Sequence, residues 1–204
     1  MLKIWGRANS SNVAKVMWAV AELGLAHQRI DIGGPFGGTH DPAYLRLNPT
    51  GRIPTIEDGD FVLWESNAIV RYLAARSGRD DLWPAALQAR ADADRWMDWA
   101  STSLAEAIDG LRKAYRQPVE TRDEPAIQAA LANAVAVVGI VDHVLQHAPF
   151  IVGTGLTVGD IALGPLLHRW VLVPLDKPHL AGVMGWYERM SHRPGFAAIT
   201  DHVK

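Results

Sequence analysis

The chain contains no cysteine. Disulfide scaffolding, thiolate metal ligation and a cysteine nucleophile are therefore excluded. It also lacks an excess of charge of one sign: 20 Lys and Arg stand against 22 Asp and Glu, a formal net charge of −2. Nucleic-acid binders usually carry a basic patch or stripe, so no nucleic-acid partner is expected. An anionic small ligand needs only a local set of donors and stays open. Long apolar runs are missing too, since no uninterrupted stretch approaches the roughly 18 residues of a membrane span. Met1 to Gly6 lacks the basic region and hydrophobic core of a secretory leader. These absences lead to the expectation of a cytoplasmic protein without membrane association. His143 and His147 lie four apart on a predicted helix, but no third ligand accompanies them, so no metal is expected.

What is present is ordinary for a globular enzyme: 204 residues, 49% of them hydrophobic, enough for one large domain or two small ones. Leu2 to Trp5 reads as a strand, followed by a polar, turn-forming stretch from Arg7 to Asn12. Val13, Val16, Met17, Val20 and Leu23 recur at helical spacing before the stop at Gly24. A second strand is predicted over 27–32, then a loop at Gly33 to Gly38. Asp41 and Pro42 open a short helix to Leu47. Ile53 to Ile56 and Phe61 to Leu63 make a hairpin about Asp58 and Gly59, and Ser66 to Ala75 a helix. A small mixed sheet carrying helices is the packing solution for this half. The predicted domain runs from 1 to 78, with a linker over 79–86. From 87 to 204 the pattern is helical throughout, with segments over 85–116 (interrupted near Gly110), 122–146, 158–167, 180–190 and 194–199. The fold class is α/β followed by all-α.

Four segments in this order carry a resemblance. They are Gly6-Arg7-Ala8-Asn9-Ser10-Ser11-Asn12-Val13, Asn48-Pro49-Thr50-Gly51-Arg52-Ile53-Pro54, Leu63-Trp64-Glu65-Ser66-Asn67-Ala68-Ile69 and Leu156-Thr157-Val158-Gly159-Asp160-Ile161-Ala162. With them the whole chain resembles the cytosolic glutathione transferases, nearest the serine-type bacterial members around the theta and zeta classes. The resemblance implies a thioredoxin-like domain for glutathione and a helical domain for the second substrate. It also implies a detoxifying, homodimeric enzyme that conjugates the glutathione thiolate to a small apolar electrophile.

The same resemblance distributes roles. Ser10 aligns with the family serine, with Ser11 adjacent and the amides of Asn9 and Asn12 as further donors. The hydroxyl is not a nucleophile here; it donates to the glutathione sulfur and lowers its pKa, helped by helix N-terminal amides. Ser10 as a plain N-cap is the structural alternative, and the two roles can coexist. Pro54 is implied to be cis, exposing the amide and carbonyl of Ile53 to the cysteinyl backbone; by itself it would read as the start of an edge strand. Ser66 at a helix start is implied to hold the γ-glutamyl carboxylate and Glu65 its amine, where a bare Glu-Ser pair would only cap the helix. His40 and Arg52 are candidates for the glycyl carboxylate. Trp96, Trp99, Ser103, Ala107, Leu111 and Trp170 are candidates for the second-substrate pocket, although Trp and Leu also fill any helical core. Thr157 and Asp160 read as a structural capping box. Two competing readings stay open: a glutathione-dependent peroxidase, reductase or isomerase of the same fold, and a non-enzymatic binding module.

Overall fold

The computed structural model describes residues 1–203. Its first half is a four-stranded sheet of order β2-β1-β3-β4, built from β1 (Leu2–Trp5), β2 (His27–Ile30), β3 (Thr55–Asp58) and β4 (Phe61–Trp64). β1 pairs parallel with β2 and antiparallel with β3, which pairs antiparallel with β4. The register sets Ile4 opposite Ile56, and both side chains are fully buried. Helices α1 (Ser11–Glu22), α2 (Pro42–Leu47) and α3 (Ser66–Arg76) complete this half. The parallel β1–β2 pair needs a crossover, and α1 supplies it.

β3 starts two residues later than the predicted strand, and for a local reason. Pro54 has no amide to donate to a ladder, so pairing begins at Thr55. β2 likewise stops at Ile30, short of the predicted 32.

The second half contains α4 (Leu87–Trp99), a π-helical turn over 100–104, α5 (Ala105–Tyr115), α6 (Glu124–Leu145), α7 (Val158–Val171), α8 (Ala181–Ser191) and α9 (Pro194–Thr200). The interruption expected near Gly110 falls instead at 100–104, with Gly110 inside α5. Its cause comes from elsewhere in the chain. Asn67 on α3 donates to the carbonyl of Met97 at 2.7 Å and to Ser101 Oγ at 3.0 Å. A side chain inserted into the helical ladder is an established cause of such local irregularities.

α7 is the pillar of the molecule, buried from Val158 to Trp170 and packed against α1, α3, α4, α8 and α9. Its approach to α1 requires a residue without a side chain. A Cβ on Gly164 would stand 2.3 Å from Trp18 Cζ3. The predicted capping box starts this helix: Asp160 Oδ2 accepts from the Thr157 amide at 3.0 Å and from Thr157 Oγ1 at 3.1 Å. Asp160 Oδ1 accepts from the Ile151 amide at 3.0 Å and from Trp186 Nε1 at 2.9 Å. The two halves are also joined by Arg193, whose Nε and Nη2 donate to Glu22 at 2.9 and 2.6 Å.

One helix, α6, has the length and mean hydropathy (1.6) to cross a membrane by composition alone. A core helix passes that test equally well, and α6 packs against α5 on one side and α8 on the other.

Candidate active site

The end of β1 delivers the chain into the polar loop 7–10, and α1 begins at Ser11. Ser10 is the N-cap, in extended conformation, and its Oγ accepts from the Val13 amide at 3.5 Å. Oγ is the acceptor in that bond, so the hydroxyl hydrogen is left to donate elsewhere. Ser10 is buried, Ser11 half-buried and Asn12 exposed. Asn12 Oδ1 accepts from Ser66 Oγ at 3.3 Å. The starts of α1 and α3 are thereby tied together, two sets of helix N-terminal amides in one place.

At the start of α3, Glu65 has φ +71°, the one non-glycine in the left-handed region among the described residues. Its side chain makes no cap bond to α3, so the first amides of that helix are not covered by it. Glu65 is exposed while Ser66 is buried. Left-handed backbone at a residue with a Cβ is uncommon, and such positions cluster at active sites and ligand clamps.

The Ile53–Pro54 peptide bond is cis. Ile53 lies outside the ladder that begins at Thr55, and the residue before it is firmly held. Tyr44 Oη donates to the Arg52 carbonyl at 2.6 Å and Asn48 Nδ2 donates to the same oxygen at 2.9 Å. Both groups also meet Thr55 Oγ1, at 2.9 and 3.1 Å. The backbone of the 52–55 turn is thus pinned on both sides of Ile53 by buried polar groups. His40 is exposed and packs on the same turn: a Cβ at Gly51, where φ is +63°, would lie 3.1 Å from its ring. Arg52 is exposed. Asn9 contributes its carbonyl, which accepts from Arg169 Nη2 at 3.4 Å.

Beneath this site sits a group that the sequence reading passed over. Lys15 on α1 is only 2% exposed, and its Nζ donates to Asn67 Oδ1 at 3.4 Å. Burial lowers its pKa to about 8; the Glu65 carboxylate opposes the shift, Arg71 adds to it and Asp109 opposes it. Since Asn67 also holds Met97 and Ser101, a single polar chain runs from α1 through α3 to the π turn. The available signal was a lysine between Ala14 and Val16 on a helix buried on most sides.

The residues expected to line the second-substrate pocket are not gathered in one place. Ala107, Leu111 and Trp170 are buried and belong to the hydrophobic core. Ser103 is half-buried in the π turn. Trp96 and Trp99 stack edge-on with ring centroids 5.3 Å apart, and with Arg95 and Ile140 they line a groove of about 270 Å³. A different cleft, of about 450 Å³, opens where the ends of α5, α7 and α9 meet. Arg112, Tyr115, Arg116, Arg169 and Leu172 are among its walls. Among the described residues, no three of His, Cys, Asp and Glu are grouped as a metal site requires.

The joined starts of α1 and α3 offer helix N-terminal amides suited to an anionic group. Comparison with known proteins identifies the family. Residues 1–75 match the family model of the glutathione S-transferase N-terminal domain, and residues 124–189 match that of the glutathione S-transferase C-terminal domain. The chain is 40% identical over 202 residues to glutathione S-transferase GstB of Escherichia coli K12, covering 98% of this chain and 97% of the relative. Among solved structures it resembles the glutathione-bound theta-class glutathione S-transferase of Xanthomonas axonopodis pv. citri. The TM-score is 0.89 at 43% identity, over 96% of this chain and 94% of that one. The apo form of the theta-class enzyme from that organism superposes with a TM-score of 0.84 at 36% identity, over 98% of this chain and 96% of that one.

Proposed function

This chain belongs to the glutathione S-transferase family, close to its theta-class bacterial members, and conjugates glutathione to electrophiles; on that premise we propose which residues do so. Ser10 Oγ donates a hydrogen bond to the glutathione sulfur. A donor aimed at the thiolate stabilises it over the thiol and lowers its pKa. The amides at the start of α1 that Ser10 does not cap act in the same direction. The thiol gives its proton to solvent water, the sulfur pair attacks the electrophilic carbon, and a leaving group departs with the displaced electrons. Ser11 and Asn12 stand beside Ser10 as further polar contacts, and Asn9 shapes the loop.

The rest of glutathione is held by backbone and charge. Ser66 and the first amides of α3 take the γ-glutamyl carboxylate, as helix N-termini favour anions. Glu65, turned outward by its left-handed backbone, takes the γ-glutamyl amine. Ile53, presented by the pinned turn, pairs with the cysteinyl backbone, and His40 and Arg52 face the glycyl carboxylate. Residues 1–78 form the glutathione-binding half and 87–204 the half that shapes the second pocket, with 79–86 between them. The observation that carries this reading is the hydrogen bond between Asn12 and Ser66, which brings the two helix starts into one site.

The enzyme acts in the cytoplasm as a homodimer. Exposed Phe61 and Trp64 on β4 and the apolar groove of Trp96, Trp99 and Ile140 are the faces that support this assembly. Light scattering at micromolar protein tests it, and a monomer would refute it. The site assignment is tested by calorimetric titration with reduced glutathione. One site per chain is expected, with at least tenfold weaker binding in the Ser66→Ala variant. Unchanged affinity in that variant would remove Ser66 from the site.

A further inference from the structure

α1 buries a charge that its packing does not require. Lys15, flanked by the buried Ala14 and Val16, is almost wholly out of solvent. Taking an ammonium out of water is costly unless a close opposite charge repays it. Among the described residues, no carboxylate forms an ion pair with it. Its Nζ donates instead to a neutral acceptor, Asn67 Oδ1, at 3.4 Å. Burial lowers its pKa to about 8; Glu65 opposes the fall, Arg71 on α3 adds to it and Asp109 on α5 opposes it. A methionine of similar length would fill the same space without the penalty.

The place of this charge relative to the two helix starts is informative. Helical side chains lean towards the N-terminus of their own helix. Lys15 reaches back along α1 and meets the first turn of α3, where Asn67 follows Ser66. Two further bonds orient the Asn67 amide. Its Nδ2 donates to the Met97 carbonyl at 2.7 Å and to Ser101 Oγ at 3.0 Å, which turns Oδ1 towards Lys15. About one turn nearer the start of α1, Asn12 Oδ1 accepts from Ser66 Oγ at 3.3 Å. Two rungs, Asn12 to Ser66 and Lys15 to Asn67, therefore fix α3 against α1 beside the amides that open α3.

Resting on the transferase reading above, we propose that Lys15 is a positioning residue for glutathione: through Asn67 it sets the start of α3, and its buried positive charge strengthens the hold of that helix start on the γ-glutamyl carboxylate. Sealed from solvent, Lys15 does not touch the ligand. It acts through Asn67 and through a field that the low-dielectric interior screens little.

The test titrates S-methylglutathione, whose sulfur carries no proton, into the full-length parent, Lys15→Met and Lys15→Gln between pH 7 and pH 10. Neither variant leaves a buried unpaired charge, so both are expected to fold. At pH 7 the parent carries the ammonium, and both variants should bind about threefold more weakly or worse. As pH rises through about 8 the parent loses that charge, so its advantage should shrink towards unity by pH 10. The ligand amine titrates in all three proteins and cancels in the ratio. In turnover at pH 7 the glutathione KM should rise by the same factor, with kcat within twofold of the parent. Equal affinity of parent and variants at pH 7, a ratio that does not change with pH, or a Lys15→Gln protein that binds like the parent would overturn the proposal. Failure of S-methylglutathione to bind the parent would instead remove the transferase reading on which it stands.

Discussion

Asp160 is the residue whose loss the fold should tolerate least. Each oxygen of its fully buried carboxyl accepts two hydrogen bonds, Oδ1 from the Ile151 amide and Trp186 Nε1, Oδ2 from the amide and hydroxyl of Thr157. In Asp160→Ala the hydroxyl can rotate, but the other three donors are fixed and buried. Each unmet donor costs about 1–3 kcal/mol, so the sum is about 3–9 kcal/mol. One effect acts the other way. Burial pushes the Asp160 pKa up against its four donors, so deleting the group also removes a desolvation penalty. A net loss of about 3–5 kcal/mol is a large fraction of the 5–15 kcal/mol that stabilises most domains. Asp160→Asn keeps one acceptor oxygen for Ile151 and Trp186 but turns an NH2 towards the Thr157 amide, a loss of about 1–3 kcal/mol. Thermal unfolding followed by far-ultraviolet circular dichroism at pH 7 reads the series. At about 2–4 °C per kcal/mol for a chain of this size, the alanine variant should melt about 6–20 °C below the parent, with asparagine between. An alanine variant melting within about 2 °C of the parent would refute the reasoning.

Other outcomes follow from the site and the core around it. Ser10→Ala should lower kcat/KM towards 1-chloro-2,4-dinitrobenzene by about 10² to 10³. It should also move the acid limb of the pH–rate profile upward, because the thiol of bound glutathione loses a donor; Ser11→Ala should leave that limb in place. For Lys15, the folded pKa of about 8 lies below the ordinary 10.5, so the unfolded chain binds more protons between those values. Stability from this group therefore rises with pH across that window, by about 3 kcal/mol at 1.36 kcal/mol per unit. Melting at pH 8 and pH 10 should show about 2 kcal/mol of that rise in the parent relative to Lys15→Met, and parallel behaviour of the two proteins would contradict it. Gly182→Ala should cost about 1–3 kcal/mol. Its Cβ would fall 2.4 Å from the Asp142 carbonyl and 2.7 Å from the Gln146 amide, backbone atoms that cannot swing aside. Urea unfolding at constant pH would check this.

Local chemistry made the skeleton of the fold legible. Thr157 with Asp160 announced the start of α7, and Gly24 the end of α1, because caps and stops are written within a few residues of where they act. The π turn was not legible. Gly110 is the local breaker in that stretch, yet it sits within α5, where packing outweighs a propensity deficit of about 1 kcal/mol. What departs from the α-helix is Ala100 to Leu104, where Asn67 intrudes from a helix 30 residues earlier. The parts proposed to hold glutathione stand in short motifs for the same reason as the caps: Ser10 and Ser66 are helix-start residues and Ile53 precedes the cis proline. The second-substrate side has no such local signature. Leu111 and Trp170, candidates through the family resemblance, lie in the core, while Arg112 and Arg116 meet Arg169 only when α5 packs against α7.

The π turn has a consequence for how the helical half tolerates a change in length. A wide turn accommodates one residue beyond the α-helical count, and one residue of α-helix is about 100° of rotation. Deleting a single residue between Ala100 and Leu104 would restore the regular ladder only by rotating α5 about its axis by that angle. Ile108 and Leu111, buried on α5, would turn out of the core, and the Asn67 bonds that tie α3 to this turn would be broken or remade. The extra residue is held in register by the core on one side and by a polar side chain on the other, so one codon lost there would be felt first as lost stability.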